Sequence, residues 1–242
     1  MSDPVLAGFA HGTSSPLGQQ LVAALMAEVA AALPARETRL GFVDVQQPDI
    51  EATFASVAAA HPVVAVPLLL SAGYHVHVDL RRAVAAQRDR VSTLTGALGP
   101  DERLTTLLVR RLTEAGLLPD DELVLAVAGS SDRRAVVDCE VVAAQLAEVL
   151  SRPVTLGYLS AAEPRLDEAV RTAGSSGRRV VVSSYLLAPG YFHDLAVAAG
   201  GDVTTAPLLA AHEPAPRELV DVVLDRFAAG TVQLAGSVAS AG

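Results

Sequence analysis

The 242-residue chain is written twice. Laid over the first half, the second half places Gly129 of "VAGSSDR" on Gly12 of "FAHGTSSP", a shift of 117 residues. Pro164 of "GYLSAAEPRLDEA" falls on Pro48 of "GFVDVQQPDIEA" with a shift of 116, and "GYF" at Gly190 falls on "GYH" at Gly73, again with 117. Each half then closes on an amphipathic stretch ending in glycine, "RLTTLLVRRLTEAG" to Gly116 and "RELVDVVLDRFAAG" to Gly230. A shift constant to one residue across three motifs means that whatever one half folds into, the other must fold into as well. The boundary falls near "LLPDDE" at 117–122, dividing the chain into residues 1–118 and 119–230. Residues 231–242, small and polar, are expected to form a loose tail.

Within each half, short β-rich apolar runs alternate with alanine-rich helical stretches. Strands are expected near 4–10, 39–45, 63–70 and 91–94 and helices near 16–33, 49–60, 75–88 and 103–115. The second half repeats the strands near 123–128, 154–159, 180–187 and 202–206. Such alternation implies an α/β fold, a parallel sheet covered by helices on both faces, here as two tandem duplicated Rossmann-like domains with a cleft between them.

In open α/β sheets ligands bind outside the carboxyl ends of the strands. Three unusual residues fall there in the first half: His11 after the first strand, Asp44 at the end of the second, and His75 after the third and its Gly73 turn. Two imidazoles and a carboxylate suit a borderline divalent cation such as Fe²⁺, Co²⁺, Ni²⁺ or Zn²⁺, and the same groups exchange protons near neutral pH. The matching positions of the second half hold Ala128, Ser160 and Phe192. The scaffold therefore does not itself require the three polar groups.

Ordinary structural roles compete at each position. His11 would serve as a turn residue before the Ser15-Pro16 helix start, Asp44 as a strand-end cap, and His75 as a polar residue opening a helix. His77 points elsewhere on a helix and is assigned to the surface or the rim, and Asp79 either orients His75 or pairs with Arg82. His61 and His212 read as surface residues, His193 as a neighbour of the cleft, and the lone Cys139 as a small core residue, which excludes an internal disulfide framework and fits a reducing compartment. Net charge of −9 argues against nucleic acid. No uncharged apolar run reaches the ~18 residues of a membrane span, and the opening "MSDPVLAGFAHG" is unlike a signal peptide. A cytoplasmic monomer without nucleic-acid or membrane partners is expected.

At "HGTSSP", "FVDVQQPDI" and "PLLLSAGYHVHVDL" the chain resembles the sirohydrochlorin chelatase family, the CbiX and SirB type of class II chelatase, in its long two-domain form. The resemblance covers essentially the whole sequence. It implies insertion of a divalent metal into sirohydrochlorin on the way to sirohaem or cobalamin, by histidines at the positions of His11 and His75. The family commonly carries glutamate where this chain has Asp44. A long form with histidines in the first half alone resembles SirB, which ranks iron slightly ahead of cobalt.

The implied ligand is an anionic tetrapyrrole, which the acidic chain must meet with local basic groups: Arg81 and Arg82 beyond the Gly73 turn, and Arg133 and Arg134 at the start of the second half's first helix. Ser14 and Tyr74 lie in the same loops, and "GTSSP" and "AGSSD" offer backbone N–H groups to an anion. Fe²⁺, Co²⁺ or Ni²⁺ enters as a substrate, and no tightly bound cofactor is expected. A metal or tetrapyrrole carrier that binds without turnover is the alternative. An enzyme of phosphorylated metabolites is disfavoured, since the Gly-Ser loops lack a P-loop lysine or a dinucleotide glycine pattern.

Overall fold

The computed structural model describes residues 2–71, 73 and 75–239, with side chains for all of these but 75–77 and 237–239. The first half runs β1 (Val5–Ala10), α1 (Pro16–Ala32), β2 (Thr38–Phe42), α2 (Ile50–Ala55) and β3 (Val63–Pro67). A π-helical turn, His75–Leu80, then leads into α3 (Arg81–Ala85), β4 (Ser92–Leu94) and α4 (Glu102–Glu114). The second half repeats the series as β5 (Glu122–Val127), α5 (Arg133–Leu150), β6 (Thr155–Tyr158), α6 (Leu166–Gly174), β7 (Val180–Tyr185), α7 (Tyr191–Val197), β8 (Val203–Thr204) and α8 (Arg217–Ala239).

Each half forms a four-stranded, all-parallel sheet, ordered β2-β1-β3-β4 and β6-β5-β7-β8. The registers coincide: Phe9 stands opposite Gly41 and Pro67 as Ala126 stands opposite Gly157 and Ser184. β1 and β5 are buried at nearly every position because helices cover both faces. Val5, Ala7 and Phe9 pack outward with Phe54 and Val57, whereas Leu6, Val64 and Val66 face inward, as period-2 alternation requires. The helix starts repeat too. Ser15 caps α1 by accepting the Gly18 N–H at 3.3 Å, with Pro16 at the first helical position, and Asp132 caps α5 through the Arg134 N–H at 3.0 Å.

The halves are not closed units, because each surrenders its last helix to the other. α4 lies against β7 and α5, and α8 lies against β3, β4 and α1, so the inward faces of both sheets share one core containing Leu104, Leu108 and Leu112 of α4 and Leu219, Val223 and Phe227 of α8. Burying each such side chain contributes about 1.5–3 kcal/mol relative to exposure. Polar clasps fix the exchange. Arg226 donates from Nε to the Ala97 carbonyl at 2.8 Å and from a terminal guanidinium nitrogen to that of Leu98 at 2.9 Å. Arg111, 2% exposed, donates to the carbonyls of Pro207 at 3.0 Å and Leu208 at 2.7 Å and pairs with Glu114 and Glu213.

The expected loose tail is corrected here. Residues 231–239 continue α8, because Leu234 finds a buried place and Gln233 accepts the Thr93 hydroxyl at 3.2 Å. Gly230 is likewise a point of close approach rather than a helix stop, since a β-carbon there would lie 2.4 Å from Val64 Cγ1. Gly116, with φ +72 just past α4, does end its helix as read.

Candidate active site

The order β2-β1-β3-β4 reverses direction between β1 and β3, and the loops leaving those two strands frame the crevice that such sheets present to ligands. His11 is the first residue after β1 and half-buried. Its carbonyl accepts the Asp44 N–H at 2.9 Å, so the loops after β1 and β2 are zipped backbone to backbone. Gly12 between them has φ +98, and a β-carbon there would fall 2.2 Å from the Asp44 carbonyl oxygen. The Asp44 carboxylate is exposed and accepts the Val45 N–H at 2.8 Å, stabilising a left-handed residue with φ 62.

The second half reproduces this backbone. The Ser160 N–H bonds the Ala128 carbonyl at 2.9 Å, Gly129 has φ +83 with its β-carbon position 1.9 Å from the Ser160 oxygen, and Ala161 takes φ 51. One rim carries an imidazole and a carboxylate on this frame, the other a methyl and a hydroxyl, with the Ser160 Oγ turned back onto the Ala128 carbonyl at 2.8 Å.

His75 opens the π-helical turn beyond β3. The side chains of His75 and His77 lie outside the described atoms, and Tyr74 lies outside the described residues. The two rims touch reciprocally. A β-carbon on Gly73 would lie 3.4 Å from Ser130 Oγ and 3.8 Å from Ala135 Cβ, at the start of α5, while one on Gly18 would lie 2.3 Å from the Pro189 carbonyl and one on Gly190 2.6 Å from Thr13 Oγ1.

Arg81 and Arg82 are exposed on α3, and Arg133 and Arg134 are exposed at the start of α5, three and four residues past the Ser130 contact. Arg134 is already engaged with its own cap, Asp132, through Nε at 3.1 Å and a terminal nitrogen at 2.8 Å, and this partner raises the guanidinium pKa. Ser14 is exposed at the tip of the loop after β1. Three of the proposed anion donors of "GTSSP" and "AGSSD" are spent internally: Thr13 N–H on Gln46 Oε1 at 2.9 Å, Ser15 N–H on Thr13 Oγ1 at 3.1 Å, and Asp132 N–H on Ser130 Oγ at 3.0 Å. Gln46, within the zipped loop pair, carries no signal in the sequence that marks this role.

The remaining histidines divide as their surroundings dictate. His61 Nδ1 lies 3.3 Å from the Asp3 carbonyl, and His212 is exposed at φ 66. His193 is half-buried in its own half, with Nδ1 3.4 Å from Ser184 Oγ, and burial lowers its pKa against the weaker pull of Asp194. Cys139 is buried, and desolvation with Asp138 and Glu140 nearby pushes its thiol up to about 12. Two surface hollows, of 260 Å³ by α2 and α3 and 530 Å³ by α6 and α7, are lined by none of His11, Asp44 or Arg133. Among the described residues no helix is long and apolar enough to cross a membrane.

The chain is similar in structure to SirB from Bacillus subtilis with Fe³⁺, at a TM-score of 0.77 and 22% identity over 98% of both chains. It is also similar to the sirohydrochlorin chelatase SirB from Bacillus subtilis subspecies spizizenii in complex with cobalt, at 0.73 and 17% over 98% of both. A third similar structure is CbiX, the terminal enzyme for biosynthesis of sirohaem in denitrifying bacteria, at 0.66 and 20% over 91% of this chain and 98% of that one. No curated protein sequence matches. The CbiX family model matches residues 6–115 and 122–199, in both halves, and the chain belongs to the CbiX family.

Proposed function

We propose that this protein inserts a divalent metal, Fe²⁺ or Co²⁺, into sirohydrochlorin in sirohaem or cobalamin biosynthesis, with iron ranked first. The observation that carries the proposal is the asymmetry of a repeated rim: one turn, one backbone hydrogen bond and one left-handed residue occur in both halves, and the groups able to bind metal and protons stand on one of them. Residues 1–118 carry the chemistry in this account, and residues 119–230 complete the cleft.

Insertion exchanges two pyrrole protons of the macrocycle for one M²⁺, so two protons must leave as the ion enters. Neutral imidazoles at His11 and His75 serve both needs, holding a partly dehydrated ion above the ring and accepting the protons. An open site suits a metal that must depart with the product. Asp44, bonded through its backbone to His11, hands protons onward or orients that imidazole. Arg81, Arg82 and Arg133 meet peripheral carboxylates, Ser14 and Tyr74 are assigned to the same ligand, and Arg134 joins by exchanging Asp132 for a ligand carboxylate. The protein acts as a cytoplasmic monomer.

The test is spectrophotometric incubation of the purified protein with sirohydrochlorin and Fe²⁺, Co²⁺ or Ni²⁺ separately. Catalytic conversion of the absorption spectrum to that of the metallated ring is the expected result. Stoichiometric binding of ring or metal with no turnover would overturn the proposal in favour of a carrier.

A further inference from the structure

After β3 the first half's chain is held by the second half at Leu70, Ser71 and Gly73. Tyr185, the last residue of β7, is 2% exposed, and its hydroxyl donates to the Leu70 carbonyl at 3.1 Å. A buried phenol is tolerated only when its O–H finds a partner, and here the partner belongs to the other half. The contact is closed from a third side. A β-carbon on Gly99 would lie 2.1 Å from the Tyr185 oxygen and 2.5 Å from the Leu70 oxygen. One residue on, Ser71 meets the Cys139 thiol of α5, and Gly73 rests against Ser130 and Ala135. The repeat supplies an internal comparison. The position of Tyr185 in the first half is Leu68, equally buried at 1% but with no hydroxyl to offer the reciprocal loop of the second half. The phenol thus occurs where it can reach the loop leading to a candidate ligand and is absent where the facing loop leads to Phe192.

We propose that Tyr185 is a positioning residue for the metal site: its hydrogen bond to the Leu70 carbonyl fixes the start of the loop that presents His75, so the half without ligands sets the geometry of the half that has them. This deepens the assignment of His75 as a ligand and rests on it. Partners bonded directly to metal ligands typically change metal affinity 10- to 100-fold, and a bond made five residues before the ligand sets the expectation at the lower end, about tenfold.

Tyr185→Phe removes one oxygen atom. Binding of Co²⁺ to the metal-free protein, read by calorimetry, should weaken about tenfold. In sirohydrochlorin turnover kcat should fall by a similar factor while KM for the ring changes less, because of the proposed ring contacts Ser14, Arg133 and Arg134 lie on other loops and only Tyr74 shares this one. Gly99→Ala wedges the same bond apart from the other side and should give the same split. Leu146→Val, a core truncation about 20 Å along α5 from the cleft, should lower the melting temperature without moving Co²⁺ affinity, separating positioning from stability. Wild-type Co²⁺ affinity and kcat in both Tyr185→Phe and Gly99→Ala would overturn the proposal, as would loss of the fold in both, which would mark a purely structural contact. His75→Ala is measured alongside. If it too keeps wild-type Co²⁺ affinity, the metal-site assignment itself has failed; if it alone loses affinity, the site stands and the role of Tyr185 falls.

Discussion

A matched pair of glycine substitutions tests the asymmetry of the two rims with stability controlled. Gly12 and Gly129 occupy the same turn at φ +98 and +83, and their β-carbon positions lie 2.2 Å from the Asp44 oxygen and 1.9 Å from the Ser160 oxygen. In Gly12→Ala and Gly129→Ala the left-handed conformation costs about 1–2 kcal/mol. Both contacts are with backbone, so the loop must move by about 1 Å, at a further cost of about 1–3 kcal/mol. Each variant should therefore lose about 2–5 kcal/mol, which for a chain of this size lowers the melting temperature by roughly 4–20 °C. The functional outcomes diverge. Movement at Gly12 displaces the 11–44 backbone pair, and a 1 Å misplacement of a catalytic group is worth about 10²-fold in rate. Movement at Gly129 displaces Ala128 and Ser160, which the proposed site does not use, and reaches that site only through the looser contact of Ser130 with Gly73. Initial rates of metal insertion, taken well below both melting midpoints, should fall about 10²-fold in Gly12→Ala and stay within about threefold of wild type in Gly129→Ala. Equal losses in the two variants, or full activity in Gly12→Ala, would refute the reasoning.

Two further outcomes follow from buried titratable groups. Burial lowers the pKa of His193, so between its folded value and the unfolded value of ~6.5 the unfolded chain binds more protons, and stability falls as pH drops through that window. His193→Gln should lose less stability than wild type between about pH 7 and pH 5 by urea midpoint, and parallel curves would count against the burial. Cys139, its thiol pushed up to about 12, should react with iodoacetamide at around pH 8 on the order of 10³-fold more slowly in the native protein than in the urea-unfolded chain. Similar rates would show the thiol to be accessible.

Much of this was legible because the repeat reads the same in residues as in coordinates. The motif shifts of 116 and 117 predicted matching turns, and Gly12 with Gly129, Val45 with Ala161, and the caps Ser15 with Asp132 are matched in space. The strands emerged from their apolar runs, since a parallel sheet buried on both faces leaves little else in them. The helix exchange did not emerge, because an amphipathic stripe like that of α4 says that a helix must cover a sheet and is silent about which sheet. Gly230 was misread for a related reason: a glycine past an apolar stripe looks like a stop, and only the distance to Val64 reveals a close approach. The internal use of the Thr13 and Ser15 N–H groups depended on side chains folding back onto their own loops, a short-range choice that composition leaves open. Tyr185 carried a faint signal, a polar residue where the first half holds Leu68, which becomes meaningful once Leu70 is seen within reach.

The central claim is that His11 and His75 perform the insertion and that the second half's equivalents do not. Its most direct test is the initial rate of Fe²⁺ and Co²⁺ insertion into sirohydrochlorin by His11→Ala, His75→Ala and Ser160→Ala. Losses of about 10²-fold or more in each histidine variant, with Ser160→Ala close to wild type, are predicted. Near-normal turnover in both His11→Ala and His75→Ala would contradict the account.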